Sequence, residues 1–421
     1  MTTKRTSMWK MLTTVTVALL LCLALALPTL ADDGLITWAP GTEANPAQAG
    51  LTKMLKMPIG TTTPNTTFEF VFTPKSYNGD LTDTNMPRIG DDNRVVKIQF
   101  TTNDKGATVG NIKTVIKESG DLLKNLVWTR AGVYVYTVTE KKTTFTNSFA
   151  EKMTFTNAVY DLYVYVKEGE KGLYVYLVGA LIKVEDTEEG GDEGEKVDPT
   201  PGGQDPHITG KYSQMIFTNF YLKNNGGTDP DKDSVLQISK TVSDGYGDRQ
   251  KEFAFTVTVI NPGTVKEKDT TYQAQKMTAA GKVGPVLVFT TAKPQDITLK
   301  HGEWLSFYDL PVGSGFEVTE KATADYTPKY QLTLNKIEQP VVNGAVNTAL
   351  GFPSITDAEP KTVSDNKGNP DKAAFTNTYK DIILTGISVD NLPYVVIIAL
   401  ALLCLAGFTA VKFRRYAKSA A

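Results

Sequence analysis

Cysteine is almost absent from this chain. Its 421 residues hold two, Cys22 and Cys404, and each falls in a long apolar run near one end. The body between those runs has none, so disulfides, the usual reinforcement of secreted domains, are excluded there. Histidine is as scarce. His207 and His301 stand far apart in the chain, which leaves no histidine metal cluster and no His-based triad, and no cofactor is expected. The formal net charge is −2, so the basic footprint of a nucleic-acid binder is missing. Asp229, Asp231 and Asp233 are spaced like the start of a calcium loop. Ser234 then stands where that loop needs glycine, and Lys240 where it needs glutamate, so the stretch reads as a linker. No phosphate-binding glycine loop is present, and no candidate site for enzymatic turnover remains.

The two apolar runs read as signals rather than fold. The first follows Lys4, Arg5 and Lys10 and ends at Thr29-Leu30-Ala31, the pattern of a secretory signal peptide covering 1–31. The second runs from Tyr394 to Val411 and is followed by Lys412, Arg414, Arg415 and Lys418. It is long enough to span a bilayer, and its basic end marks the cytoplasmic side. The body is therefore expected outside the cell.

That body is rich in Thr, Val, Tyr and Phe alternating with period two, as in "TFEFVFTP", "GVYVYTVTE", "YDLYVYV" and "EFAFTVTVI". The expected class is all-β, with immunoglobulin-like sandwiches. Two stretches break the pattern. Residues 185–206, "EDTEEGGDEGEKVDPTPGGQDP", read as a mobile acidic excursion, and 225–234 as an interdomain linker. Marks recur in the same order on both sides of that linker: a short strand with a lysine, an F-x-F strand, "VTEK", and a closing "FTN". A duplicated order of marks predicts two copies of one domain, at 32–224 and 235–380.

In each copy, alternation places three polar residues on the face that should be the core. Lys53, Glu140 and Asn219 do so in the first half, and Lys240, Glu320 and Asn377 in the second. Lys56 lies close to Lys53 but three residues on, so it should face the other side. One such charge at a strand end is ordinarily solvated. Three in the same order, twice, are not explained that way, because buried unpaired charges are costly. Desolvation lowers a lysine pKa and raises that of a glutamate, and a neutral amine is a nucleophile. The expected chemistry is attack of the lysine on the asparagine carboxamide. A protonated glutamate would hydrogen-bond the carbonyl oxygen and shuttle protons, and ammonia would leave. Proximity supplied by folding can contribute roughly 7–11 kcal/mol to such a step. The product is an isopeptide bond made once, in a body without cysteine. The tripeptide Phe-Thr-Asn also occurs at 145–147 and 155–157. It reads as a strand phrase there too, with Asn147 and Asn157 as ordinary edge or turn residues.

With these residues in view, the chain resembles the backbone pilins of Gram-positive bacteria, built from Cna-B-like domains with intramolecular isopeptide bonds. The likeness runs through "GLTKMLKM", "AGVYVYTVTE", "IFTN", "LQISKTVSDGYGDRQKEFAFTVTV", "LPVGSGFEVTE", "AFTN" and the tail. The resemblance implies a sortase sorting signal over 381–421, with Ile382, Ile383, Leu384, Thr385 and Gly386 as the recognition pentapeptide, although proline is missing from its second position. A sortase cysteine would attack the Thr385 carbonyl and release Gly386. An amine would then resolve the acyl-enzyme, either a lysine of the next subunit or a cell-wall peptide. Lys211 and Lys75 are the candidate linking lysines. The implied partners are a sortase, further pilin subunits in a covalent homopolymer, peptidoglycan, and host or surface ligands. The implied location is the Gram-positive cell wall. The competing expectation is a wall-anchored adhesin or stalk built from the same domains and not polymerised.

Overall fold

A computed structural model describes residues 40–419, apart from 82–84, 92, 187–190, 203–211, 244–245, 354–360 and 381–391. The expected signal peptide, the pentapeptide Ile382–Gly386 and Lys211 lie outside the described residues. The described residues are mostly β-strand, with a helix at the C-terminal end.

The first half holds β1 (Thr52–Pro58), β2 (Thr66–Tyr77), β3 (Val95–Phe100), β4 (Ala107–Val109), β5 (Ile112–Glu118), β6 (Gly132–Glu140), β7 (Glu151–Thr154), β8 (Val159–Glu168), β9 (Leu173–Val184), β10 (Lys196–Val197) and β11 (Ile216–Lys223). They form two sheets, ordered β4-β5-β1-β11-β7 and β10-β9-β8-β6-β2-β3. The second half holds β12 (Leu236–Val242), β13 (Phe253–Ile260), β14 (Thr271–Thr278), β15 (Gly281–Thr290), β16 (Gln295–Leu299), β17 (Trp304–Phe307), β18 (Gly315–Glu320), β19 (Tyr326–Leu334), β20 (Ile337–Glu338), β21 (Val342–Asn343), β22 (Leu350–Phe352) and β23 (Asp371–Tyr379). Its sheets are ordered β15-β14-β17-β12-β23-β19-β20, with β21 also on β19, and β16-β13-β18-β22.

Each half encloses its own apolar core, one around Phe68, Phe70, Tyr136 and Phe217, the other around Phe253, Phe255, Phe307 and Phe375. The alternation of large apolar residues drives this, since burying one face of each sheet contributes about 25 cal/mol for each Å² of apolar surface removed from water. β12 shows the alternation plainly, with Leu236, Ile238, Lys240 and Val242 buried and Gln237, Ser239 and Thr241 less so. β1 does not alternate: Thr52 and Met54 are buried as well as Lys53 and Leu55. The Thr52 hydroxyl donates to the Ser213 carbonyl, so chain also covers the outer face here.

The reading of 185–206 as a mobile acidic excursion is corrected over its described residues 191–202. Among its described residues, Lys196 and Val197 pair with Leu181 and Ala180 of β9, and Val197 and Asp198 are buried. Two of the four Phe-Thr-Asn copies are corrected too. Residues 145–147 lie between β6 and β7, and 155–157 follow the end of β7. Both segments pass from one sheet to the other, and a chain making that crossing cannot stay in either ladder.

The helix α1 (Leu392–Ser419) contains an apolar stretch, Pro393–Arg415, long and apolar enough to cross a membrane.

Candidate functional site

In both halves the first strand runs parallel to the last. β1 meets β11 with Lys53 opposite Phe217, and β12 meets β23 with Lys240 opposite Phe375. Each asparagine therefore stands two residues beyond its lysine's partner, on the same face. Each glutamate ends a strand of the facing sheet, opposite the second phenylalanine of the F-x-F strand: Glu140 opposite Phe70, Glu320 opposite Phe255. The two sites thus share one register, and each glutamate reaches across the sandwich to the lysine and asparagine.

The structure brings both trios together. Lys53 Nζ donates to Glu140 Oε2 at 3.0 Å, and Asn219 Nδ2 donates to Glu140 Oε1 at 2.8 Å. In the second half, Lys240 Nζ and Asn377 Nδ2 both donate to Glu320 Oε1, each at 2.6 Å. All six residues are buried. Aromatic rings enclose them. Lys53 Nζ lies 4.6 Å from the centre of the Phe68 ring and Lys240 Nζ 4.2 Å from that of Phe253. The phenylalanine of each closing tripeptide packs on the F-x-F strand, Phe217 on Phe70 and Phe375 on Phe255. Lys56 is only half-buried, so period two separates it from the site.

Burial sets the electrostatics. Desolvation pushes the Lys53 amine down to about 8, against the attraction of Glu140, and the Lys240 amine down to about 8, against that of Glu320. Desolvation likewise raises both glutamic carboxyls, with the paired lysines and asparagines opposing it. Both groups are driven toward their neutral forms, which a nucleophilic amine and a proton-carrying acid require.

One detail departs from the sequence expectation. The glutamate touches the asparagine nitrogen in both sites, not the carbonyl oxygen. In the first half this orientation is fixed from the other side, because the Thr156 backbone N–H donates to Asn219 Oδ1 at 2.9 Å. A flipped amide would set two donors against each other. Asp186 adjoins this contact. Its Oδ1 accepts from the Thr156 hydroxyl at 2.5 Å and from the Thr218 N–H at 2.9 Å. The second half differs: among the described residues no donor reaches Asn377 Oδ1 or Glu320 Oε2. Thr156 and Asp186 escaped the sequence reading. A backbone donor has no letter of its own, and Asp186 sits inside an acidic run.

Lys75, the other candidate linking lysine, lies at a bulge of β2 between Pro74 and Ser76. It pairs with the buried Asp161 at 2.5 Å while its own side chain remains part-exposed. Asn147 ties down its own loop through the backbone of Met153, and Asn157 accepts from Lys142. These contacts engage no trio residue.

A two-sheet body with a trio at the same register in each half is a tandem β-sandwich protein, and the chain resembles Gram-positive backbone pilins. A protein named Pilin from Streptococcus pyogenes serotype M1 is 25% identical over 348 residues, 82% of this chain and 83% of that one. The major pilin of Streptococcus pyogenes in its crystal structure is 22% identical, covering 80% of this chain and 100% of the other, with a TM-score of 0.32. A second major pilin of that species, T3.2, is 20% identical over 80% of this chain and 99% of its own, at a TM-score of 0.28. Residues 234–379 match a family described as a domain of unknown function, DUF7601.

Proposed function

We propose that this chain is a structural subunit of a pilus, assembled by sortase and anchored to the wall, with each half stapled by a self-made Lys–Asn isopeptide bond. Homology to a streptococcal pilin supports the pilus subunit. The observation that carries the staples is the repeated geometry: a buried lysine and asparagine, both hydrogen-bonded to one buried glutamate, twice at the same register.

The step balances as follows. Lys53 gives a proton to Glu140 and its neutral Nζ attacks Asn219 Cγ, forming a tetrahedral oxyanion. Glu140 passes the proton to Nδ2 and takes one from the new C–N nitrogen. The C–Nδ2 bond breaks, the carbonyl re-forms and ammonia leaves. Glu140 suits a shuttle between two nitrogens, since one oxygen faces each of them. Lys240, Glu320 and Asn377 do the same, through a single glutamate oxygen. Nothing is turned over, because lysine and asparagine are consumed.

For assembly, the pentapeptide ending Thr385-Gly386 would be cleaved between those two residues and joined to a lysine, with α1 holding the chain at the membrane until then. Lys75 remains a candidate acceptor. Two measurements test the reading. The expressed ectodomain should be lighter than its sequence by two ammonia molecules, with Glu140→Ala and Glu320→Ala each restoring one. An unchanged wild-type mass would sink the staples. Wall extracts should give a high-molecular-weight ladder on denaturing gels that Thr385→Ala abolishes, whereas a single monomer band would favour an unpolymerised adhesin or stalk.

A further inference from the structure

The two sites are alike in lysine, glutamate, asparagine and phenylalanine, and unlike around the asparagine oxygen. In the first half β7 pairs with β11 only as far as Thr154, opposite Phe220. Continued antiparallel pairing would set Thr156 opposite Thr218. Instead the chain turns away toward β8, and the Thr156 N–H points at Asn219 Oδ1. The Thr218 N–H, left without β7, is taken by Asp186. The same Asp186 oxygen holds the Thr156 hydroxyl, which in turn accepts from the Ala158 N–H at 3.0 Å. Thr156, Asp186, Thr218 and Asn219 are all buried. In the second half, β19 runs alongside β23 without a break and sets Pro328, which has no N–H, opposite Asn377.

We propose that the Thr156 backbone N–H is an oxyanion donor for crosslinking in the first half, and that Asp186 is the residue that positions it. The proposal rests on the isopeptide reading given above. As Lys53 attacks, negative charge develops on Asn219 Oδ1, and a fixed donor in a dry site stabilises it at no cost of reorganisation. Before the attack the donor already lies 2.9 Å from Asn219 Oδ1, the oxygen on which the charge develops. The contact also keeps the leaving nitrogen turned toward Glu140. The negative charge of Asp186 acts in the opposite sense, because it stabilises the Lys53 ammonium and disfavours a nearby oxyanion. Its role is therefore to hold Thr156, not to supply charge.

The test uses the full chain in cell-free synthesis. Samples are quenched in denaturant at intervals and digested, and the Lys53–Asn219 and Lys240–Asn377 crosslinked peptide pairs are counted by mass. Asp186→Ala should slow the first pair by on the order of 10²-fold, the usual loss for one oxyanion donor, and leave the second unchanged. Asp186→Asn keeps an acceptor for the Thr156 hydroxyl and the Thr218 N–H, so its first pair should form within a few-fold of wild type. Thr156→Val, nearly isosteric, removes the hydroxyl's contacts with Asp186 and with the Ala158 N–H and keeps the backbone N–H, and should slow the first pair in the same direction. It serves if Asp186→Ala fails to fold. A wild-type rate in both Asp186→Ala and Thr156→Val overturns the proposal. So does Asp186→Asn falling as far as Asp186→Ala, which would show that keeping an acceptor for Thr156 does not keep the rate. If neither pair forms in the wild type, the isopeptide reading itself falls, and that outcome is distinct from both.

Discussion

At the scale of the residue, Lys53 and Lys240 carry buried amines, and their titration would distinguish a crosslinked chain from an uncrosslinked one. In an Asn219→Ala, Asn377→Ala chain both amines survive. Their folded values lie near 8 and the unfolded value at 10.5. Between those limits the unfolded chain holds protons that the folded chain has lost, so stability rises with pH across that window. The raised carboxyls of Glu140 and Glu320 act at the acid end. Their contribution is present below 4.5 and is lost as pH rises through the folded values. Under the proposed crosslinking, the wild-type lysine nitrogens would be amides and would not titrate. The gap in urea midpoint between wild type and variant should narrow from pH 8 to 10; a constant gap would argue that the lysines are free in both. The trio residues were legible because period two puts them on core faces and the duplication repeats them. Thr156 and Asp186 were not, since their relation to Asn219 is set by where a strand ends.

At the scale of the element, the feature that matters is the parallel pairing of first and last strands, β1 with β11 and β12 with β23. A bond between them closes nearly the whole domain into one loop. By analogy with disulfides, that constrains the unfolded chain by on the order of 5 kcal/mol per bond. Removing the asparagine is the cleaner probe. Glu→Ala would also strand a buried ammonium, which adds its own destabilisation of about 3–5 kcal/mol. Asn377→Ala should therefore lower the unfolding free energy by on the order of 5 kcal/mol in equilibrium denaturation, and Glu320→Ala by clearly more. Equal losses would mean that Lys240 and Glu320 are not a buried pair. The strands themselves could be read from alternation. The two Phe-Thr-Asn segments that are not strands could not, because the same three letters suit a strand and a crossing between sheets.

At the scale of the whole molecule, the two halves meet through Asp365. Its carboxylate takes Lys223 Nζ at 2.7 Å, Asn225 Nδ2 at 2.9 Å and the Thr62 N–H at 2.9 Å. Burial alone would raise the Asp365 carboxyl, but these donors outweigh it and hold it below the usual value. Nearby, Gly313 has φ +81° and lies against Pro58, where a Cβ would approach to 2.3 Å. The end of β11, the linker and a first-half loop are thus tied to one second-half residue. Asp365→Ala should free the halves to hinge about the linker at 225–234. The expected result is faster proteolysis there and a larger radius of gyration by small-angle scattering, with both crosslinks intact. An unchanged radius would assign the fixed arrangement to packing such as that at Gly313.

By itself, the sequence determined the all-β class, the duplication, the six residues of the trios and the apolar C-terminal helix. Each follows from periodicity or repetition, which are properties of neighbouring letters. The tertiary structure decided which groups touch which oxygen or nitrogen of each asparagine, the folding of 191–202 onto the first domain, and the Asp365 tie between the halves. Those depend on strand ends and crossings, where residues far apart in the chain meet and backbone groups act without any side chain to announce them.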